Sequence, residues 1–366
     1  MNRKEFLQTC AIFGIGLPVQ NVLSSCQKEE IQRAPFAGKV LIIGAGAGGL
    51  SAGYFLHQQG VDFQILEASA IFGGRMRINN DFADFPIPLG AEWLETDTGI
   101  FQEIVNDQAI EVKVDTVPDA PDRKFVNYSW FNFFEDYIVP PIAPKISFNT
   151  VVKFVDFSGD SVVVRTENED FIADKVIMAV PLQILKEQLI KFTPALPSEK
   201  QNAIDKLIVW EGFKAFFEFK TNFYGNEEYE FNIGDSGQKI YYNAALGQNT
   251  GKHILGLFAV GAPAKDFITL TDDELKNFVL DELDAHFGQK ARPNYLKHIS
   301  QNWNKETYIR GGYLSDHADW KTVKILGESI DKKLYFTGGE FTDGEDWVSV
   351  HTAARSAKRT AMEVNS

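Results

Sequence analysis

Gly44, Gly46 and Gly49 stand in the spacing Gly-x-Gly-x-x-Gly directly after the apolar run Lys39-Val40-Leu41-Ile42-Ile43. The first glycine permits a tight turn, the second lets a pyrophosphate approach the backbone, and the third lets a helix pack on a sheet. The helix that starts here, with Ala45 and Gly48 in its entry turn, would face the phosphates with unpaired N–H groups and its positive dipole end. Roughly twenty residues further on, where such motifs place an acid for a ribose, the run Val61-Asp62-Phe63-Gln64-Ile65-Leu66 ends at Glu67, followed by Ala68. Strand, glycine turn, helix and acid together predict a bound dinucleotide. Other residues have candidate chemistry of their own. Gly73-Gly74-Arg75 puts a planar, permanent cation on a glycine turn, which suits phosphate. Lys214 is the lone cation in the apolar run Gly212–Phe219, and lysine is rarely buried unless paired or functional.

These groups need elements to position them. From Gly38 to about Arg77 the pattern is β-α-β. Residues 78–145 read as irregular and aromatic-rich, with Tyr128-Ser129-Trp130-Phe131-Asn132-Phe133-Phe134 followed by Pro140, Pro141 and Pro144. Val151 to Phe157, Ser161 to Thr166 and Asp174 to Pro181 read as successive strands of an antiparallel meander. Residues 183–320 alternate helical patterns (Glu199 to Leu207, Thr271 to Phe287) with strands (Gly212 to Phe219, His253 to Val260), predicting a sheet with covering helices. Lys333 to Glu340 is a strand ending in glycines, and Val350 to Val364 is an alanine-rich helix. The expected fold class is α/β. A Rossmann-like domain, discontinuous over residues 38–88, 146–182 and 325–366, would carry an inserted α+β substrate domain of residues 89–145 and 183–324.

A chain of 366 residues is long enough for two domains and a large core. Its net charge of −14 argues against a nucleic-acid partner and is compatible with a cationic substrate. Both cysteines, Cys10 and Cys26, lie near the start, so disulfides, zinc thiolate sites and a cysteine nucleophile are excluded from the rest, and no metal is expected. Arg3 and Lys4 precede an apolar stretch, Cys10 to Val22, that glycines and Pro18 interrupt and that is too short to span a bilayer. Leu23-Ser24-Ser25-Cys26 resembles a bacterial lipobox, and Asn2-Arg3-Lys4-Glu5-Phe6-Leu7 resembles a twin-arginine export motif with lysine in the second basic position; an ordinary Sec signal is the alternative. Residues 1–26 are therefore expected to be a signal peptide and 27–37 a tether. The protein would be exported, periplasmic or at the cell surface, with a lipid anchor to the membrane at Cys26.

The order of motifs over nearly the whole chain resembles the flavin-containing amine oxidase family, which includes monoamine and polyamine oxidases. Phe72-Gly73-Gly74-Arg75 is similar to the family's Gly-Gly-Arg turn at the cofactor's phosphates. Leu89-Gly90-Ala91-Glu92-Trp93-Leu94-Glu95 resembles the Gly-Ala-x-Trp segment that passes along the flavin. The resemblance thus implies FAD contacts at Gly74, Arg75, Gly90, Ala91, Glu92 and Trp93, and a carboxylate at Glu95 that helps hold a cationic amine. It implies a backbone contact from Val152 to adenine and a water held against flavin N5 by Lys214. In Trp303-Asn304-Lys305-Glu306-Thr307-Tyr308-Ile309-Arg310-Gly311-Gly312-Tyr313 it implies a tryptophan packed on the flavin and a cage tyrosine that orients the amine. Gly339 and Glu340 would meet the ribityl–phosphate region, and the N–H of Val350 would face flavin C2=O.

Ser349 stands where many members carry a second cage aromatic, and His351 reads as structural. The implied function is FAD-dependent oxidation of an amine, polyamines included. Hydride would pass from the α-carbon to flavin N5, with O2 or a quinone as the electron acceptor. Two alternatives stand beside it. One is a flavin desaturase or dehydrogenase on an apolar or amino-acid substrate, with Arg310 on its carboxylate. The other is a non-catalytic FAD-binding lipoprotein.

Overall fold

The apolar strand β1 (Lys39–Ile43) has to be covered on both faces, and in the computed structural model of the chain it occupies the centre of a five-stranded sheet. The structure describes residues 36–116, 123–226, 229–234 and 236–366. The expected signal peptide, Cys26 and most of the tether lie outside these residues. Strand order in the sheet is Leu334–Phe336, Lys175–Met178, β1, β2 (Asp62–Leu66) and Ile146–Ser147, and every pairing is parallel. On one face, helix α1 (Ala47–Gln58) packs against the closing helix Val350–Val364. Ala354, Ala357 and Ala361 of that helix share a core with Val40, Ile42 and Leu50. On the other face, Leu41, Ile43 and Met178 meet Val155, Val162 and Val164.

These last residues belong to the meander, which differs from the expected one. Asp174 to Pro181 does not supply its third strand. Asp170–Ala173 takes that place, antiparallel to Val162–Thr166, while Lys175–Met178 enters the parallel sheet beside β1. Val176, Ile177 and Met178 are apolar in succession, and only a sheet covered on both faces buries such a run. Residues 78–145 are also more regular than expected. Trp93–Leu94, Arg123–Phe125 and Val114–Thr116 form a small antiparallel sheet, beside the helix Gly99–Val105.

A third layer is the large antiparallel sheet, ordered Tyr229–Gly234, Gly237–Asn243, His253–Gly261, Gly212–Phe219 and Tyr295–Asn302. The helix Asp272–Phe287 starts at Thr271, whose side chain and Glu274 form a capping box. Its Leu275, Val279, Leu280 and Leu283 cluster with Phe213, Phe217 and Phe219. Side chains alternate along a strand, so Lys214 and Phe216 point away from this helix, towards the segment Pro88–Trp93.

Lys200 is buried at the end of the helix Trp320–Gly327. Its Nζ donates to the carbonyls of Leu326 (2.8 Å) and Glu328 and stands 3.9 Å over the Phe336 ring. Burial pushes it down to about 7. The unfolded chain keeps this lysine protonated to much higher pH, so between about pH 7 and 10 the unfolded state binds more protons and stability rises with pH. Lys200→Met is expected to remove that rise, as measured by urea unfolding across the same window.

Candidate functional site

The carboxyl ends of the parallel strands open on a cavity of about 650 Å³, where open α/β sheets place their ligands. Nearly all the sequence-predicted site residues line it: Gly44, Gly46, Gly48, Glu67, Ala68, Gly74, Arg75, Gly90, Ala91, Glu92, Trp93, Glu95, Val152, Lys214, Trp303, Tyr313, Gly339, Glu340 and Val350. Two predicted contacts lie behind the wall instead. The N–H of Ala45 is turned to Glu67 (2.6 Å), and Gly49 packs so closely that a Cβ there would come within 1.9 Å of the Gly44 carbonyl oxygen. Their part is to shape the turn.

At the glycine end, α1 begins at Gly46 with no side-chain cap and no acid in its first turn. A Cβ built on Gly46 meets nothing within 4 Å, so the space over this helix start is open to an anion. Glu67 closes the turn from the side: one carboxylate oxygen accepts from Ala45 N–H, and the other from Ser69 N–H (2.8 Å) and the Ser69 hydroxyl (2.6 Å). Further along, Arg75 donates to Glu340 (2.7 Å) and to the Gly312 carbonyl, and the second oxygen of Glu340 accepts from Leu182 N–H (2.8 Å). The arginine and glutamate that the sequence assigned separately to the ligand form an ion pair with each other at the cavity wall.

Glu92 is buried against Lys214. Its Oε2 accepts from Lys214 Nζ (2.5 Å) and from the Tyr242 hydroxyl (2.5 Å), and its Oε1 lies 4.0 Å from Lys124 Nζ. Lys214 also donates to the carbonyls of Pro88 (3.1 Å) and Gly90 (3.0 Å). Its three N–H groups therefore all have protein acceptors, and a water on Lys214 must displace one of them. Burial pushes the Lys214 ammonium down, and the Glu92 charge and hydrogen bond oppose that shift. Lys124 and Tyr242 had no signal in the sequence, because the carbonyls that Lys124 meets, at Asn243 and Ala244, are far along the chain.

Tyr313 marks the other end, packed against Trp210. Burial raises its hydroxyl, and Asp316 and Glu95 raise it further. Both carboxylates line the cavity, as does Phe258, which meets Trp93 edge-on. Asp316 and Phe258 were not singled out in the sequence, where each looks like an ordinary loop acid or strand aromatic. Ser349 caps the closing helix, its backbone N–H donating to Thr352 Oγ1 (3.1 Å). The residue before it, Val348, has φ 73°, a conformation that a β-branched residue adopts only under constraint. FAD fits this outline: an uncapped helix start for its diphosphate, Trp303 along the wall, and the start of a second helix at Val350.

Comparisons with known proteins agree with the geometry. The pattern of the Flavin containing amine oxidoreductase family matches residues 142–365, and that of an NAD(P)-binding Rossmann-like domain matches residues 42–107. Probable polyamine oxidase 4 of Arabidopsis thaliana is 32% identical over 167 residues, 45% of this chain and 33% of that protein. Polyamine oxidase 2 of the same plant is 30% identical over 158 residues, 43% of this chain and 32% of that protein. The alignments thus span about a third of the length of these relatives. A solved structure of wild-type putrescine oxidase bound to putrescine superposes with a TM-score of 0.70 at 15% identity, covering 90% of this chain and 99% of that one. At that identity the likeness speaks for the fold.

Gly46→Val fills the open space over α1. It is expected to leave the urea stability of the FAD-free protein within about 1 kcal/mol but to abolish retention of FAD through gel filtration, read from the visible absorbance. Glu92→Gln leaves two buried lysines without their anion, and is expected to cost about 3–5 kcal/mol in the same unfolding assay.

Proposed function

The chain belongs to the family of flavin containing amine oxidoreductases, and we propose that it oxidises a small cationic amine in the cavity between Lys214 and Tyr313, with FAD bound along the glycine turn. One observation carries the proposal: Glu95 and Asp316 both line the cavity and both bear on the buried Tyr313 hydroxyl, and the aromatic pair Trp93 and Phe258 lines the same cavity. Anionic groups at an aromatic wall complement an ammonium.

FAD supplies the two-electron oxidation of the amine carbon. The N–H groups at the start of α1 would hold its diphosphate, Glu67 a ribose and the backbone of Val152 the adenine. The Arg75–Glu340 pair, Gly90, Ala91, Trp303 and the N–H of Val350, which line the same cavity, would be its further contacts. Trp93 and Phe258 exclude water from the amine, Tyr313 orients it, and Glu95 draws its distal charge. Similarity to proteins named polyamine oxidase and putrescine oxidase supports a substrate with a second cation. Dioxygen or a quinone takes the electrons onward. For the amino-acid alternative, Arg310 lines the cavity but is paired with Glu187 (2.8 Å) and the Thr307 carbonyl (3.2 Å), so a substrate carboxylate there has to compete with them.

Anaerobic mixing of the FAD-loaded protein with n-butylamine, putrescine, spermidine or leucine tests the proposal. Bleaching of the visible band by the amines is expected. Glu95→Gln should weaken putrescine about ten- to a hundredfold, the worth of one charge-assisted hydrogen bond, and n-butylamine much less. Bleaching by leucine alone selects the dehydrogenase, and bleaching by none of them leaves an FAD-binding protein without this activity.

A further inference from the structure

His351 is buried on the first turn of the closing helix, and its ring is held on both sides. Nδ1 lies 2.7 Å from the Ser349 hydroxyl, and Nε2 lies 3.3 Å from Asp346 Oδ2. Of the contacts made by Ser349 Oγ, this is the shortest; those to Thr352, Oγ1 at 3.3 Å and the backbone N–H at 3.4 Å, are longer. A serine that only capped the helix would need the Thr352 contact alone. Ser349 has a single O–H, and the geometry aims it at the imidazole. Ser349 also lines the cavity, while His351 does not. The hydroxyl is thus the bridge between the cavity and a buried ring.

Other charges face the same ring. Glu95 Oε2, on the segment after Trp93–Leu94, lies 4.0 Å from Nδ1. Arg355, one turn along the closing helix, acts on Asp346 and pairs with Glu103 of the Gly99–Val105 helix (3.0 Å). The hydrogen bond from His351 is the largest of the effects that hold the Asp346 carboxyl below its usual range. Positive charge arriving on the ring therefore meets a carboxylate on either side.

An alkylamine enters from neutral water as the cation, since its pKa is about that of lysine, near 10.4. Loss of hydride from its α-carbon requires the free lone pair, so a proton has to leave first. We propose that Ser349, His351 and Asp346 form a relay that takes this proton out of the cavity. The inference rests on the amine reading above. The ammonium N–H proton passes to Ser349 Oγ as the Ser349 O–H proton passes to Nδ1 of His351. The amine becomes neutral, the serine is regenerated, and the imidazolium lies between Asp346 and Glu95. Asp346 acts as a positioning residue by fixing the proton on Nε2, which leaves Nδ1 as the acceptor.

The test follows bleaching of the anaerobic, FAD-loaded protein by saturating spermidine or n-butylamine between about pH 7 and 9, below the pKa of the free amine. The wild-type rate should be nearly flat. In His351→Gln and Ser349→Ala it should rise about tenfold per pH unit, because only amine already neutral in solution reacts. Ser349→Thr, which keeps a hydroxyl, should restore the flat profile. A visible FAD band and an unchanged unfolding midpoint show that each variant is folded and loaded. As a readout independent of turnover, the 15N-histidine signals of His351 should move towards the cationic form when spermidine is added anaerobically to wild-type protein whose FAD is already reduced with dithionite, and should stay in place in Ser349→Ala. A wild-type protein that bleaches with the same pH profile as His351→Gln overturns the relay and leaves the amine reading standing. A wild-type protein bleached by neither amine overturns both.

Discussion

The buried carboxylate of Glu92 ties together segments that reach the cavity from different layers. It holds Lys214 of one strand of the large sheet, Tyr242 of another, and lies beside Lys124 of the small sheet. Taking these charges out of water costs several kcal/mol per ion, and only close geometry with further hydrogen bonds offsets it. The site meets that condition: Lys214 also donates to the carbonyls of Pro88 and Gly90, and Lys124 to those of Asn243 and Ala244. The same bonds fix the path of the segment from Pro88 to Trp93. Gly90 and Ala91 are thereby presented to the cavity, and the Trp93 ring is set 4.9 Å from the lysine nitrogen.

Around that anchor the cavity lining mixes a helix start with charged side chains of both signs. One part is backbone N–H at the start of α1, without acidic side chains in the first turn. The lining also carries the carboxylates of Glu95 and Asp316. On the proposed reading, such a distribution of fixed charge would favour an anionic coenzyme at the helix start and a cationic substrate near the carboxylates. The two helix starts at the cavity are built differently to suit. Gly46 leaves α1 uncapped, whereas Ser349 caps the closing helix and is placed by a strained Val348. Such a conformation costs on the order of 1–3 kcal/mol, and the bond from Val348 N–H to the Gly339 carbonyl (3.0 Å) helps hold it.

Local patterns were legible where one segment contains its own explanation. The glycine turn, the Val350–Val364 helix, the Gly212–Phe219 strand and the Asp272–Phe287 helix all stand close to where periodicity placed them. Strand partners were less legible. Lys175–Met178 looked like a continuation of the meander because a short turn precedes it, yet burial on both faces drew it beside β1. The hairpin Tyr229–Asn243 and the strand Tyr295–Asn302 carry many polar residues, and their pairing comes from the neighbouring strand instead of from an apolar alternation of their own.

The amino-acid sequence by itself determined the α/β class, the dinucleotide turn and the residue types that surround the cavity, because spacing within a few residues fixes backbone shape. Tertiary structure alone decided what those side chains face. Arg75 met Glu340, Lys214 met Glu92, Arg310 met Glu187, and Ser349 met His351 beside Glu95. Most of these partners are remote in the chain, and a charged side chain's state depends on which distant group shares its buried volume. That is a property of packing, which no local spacing encodes.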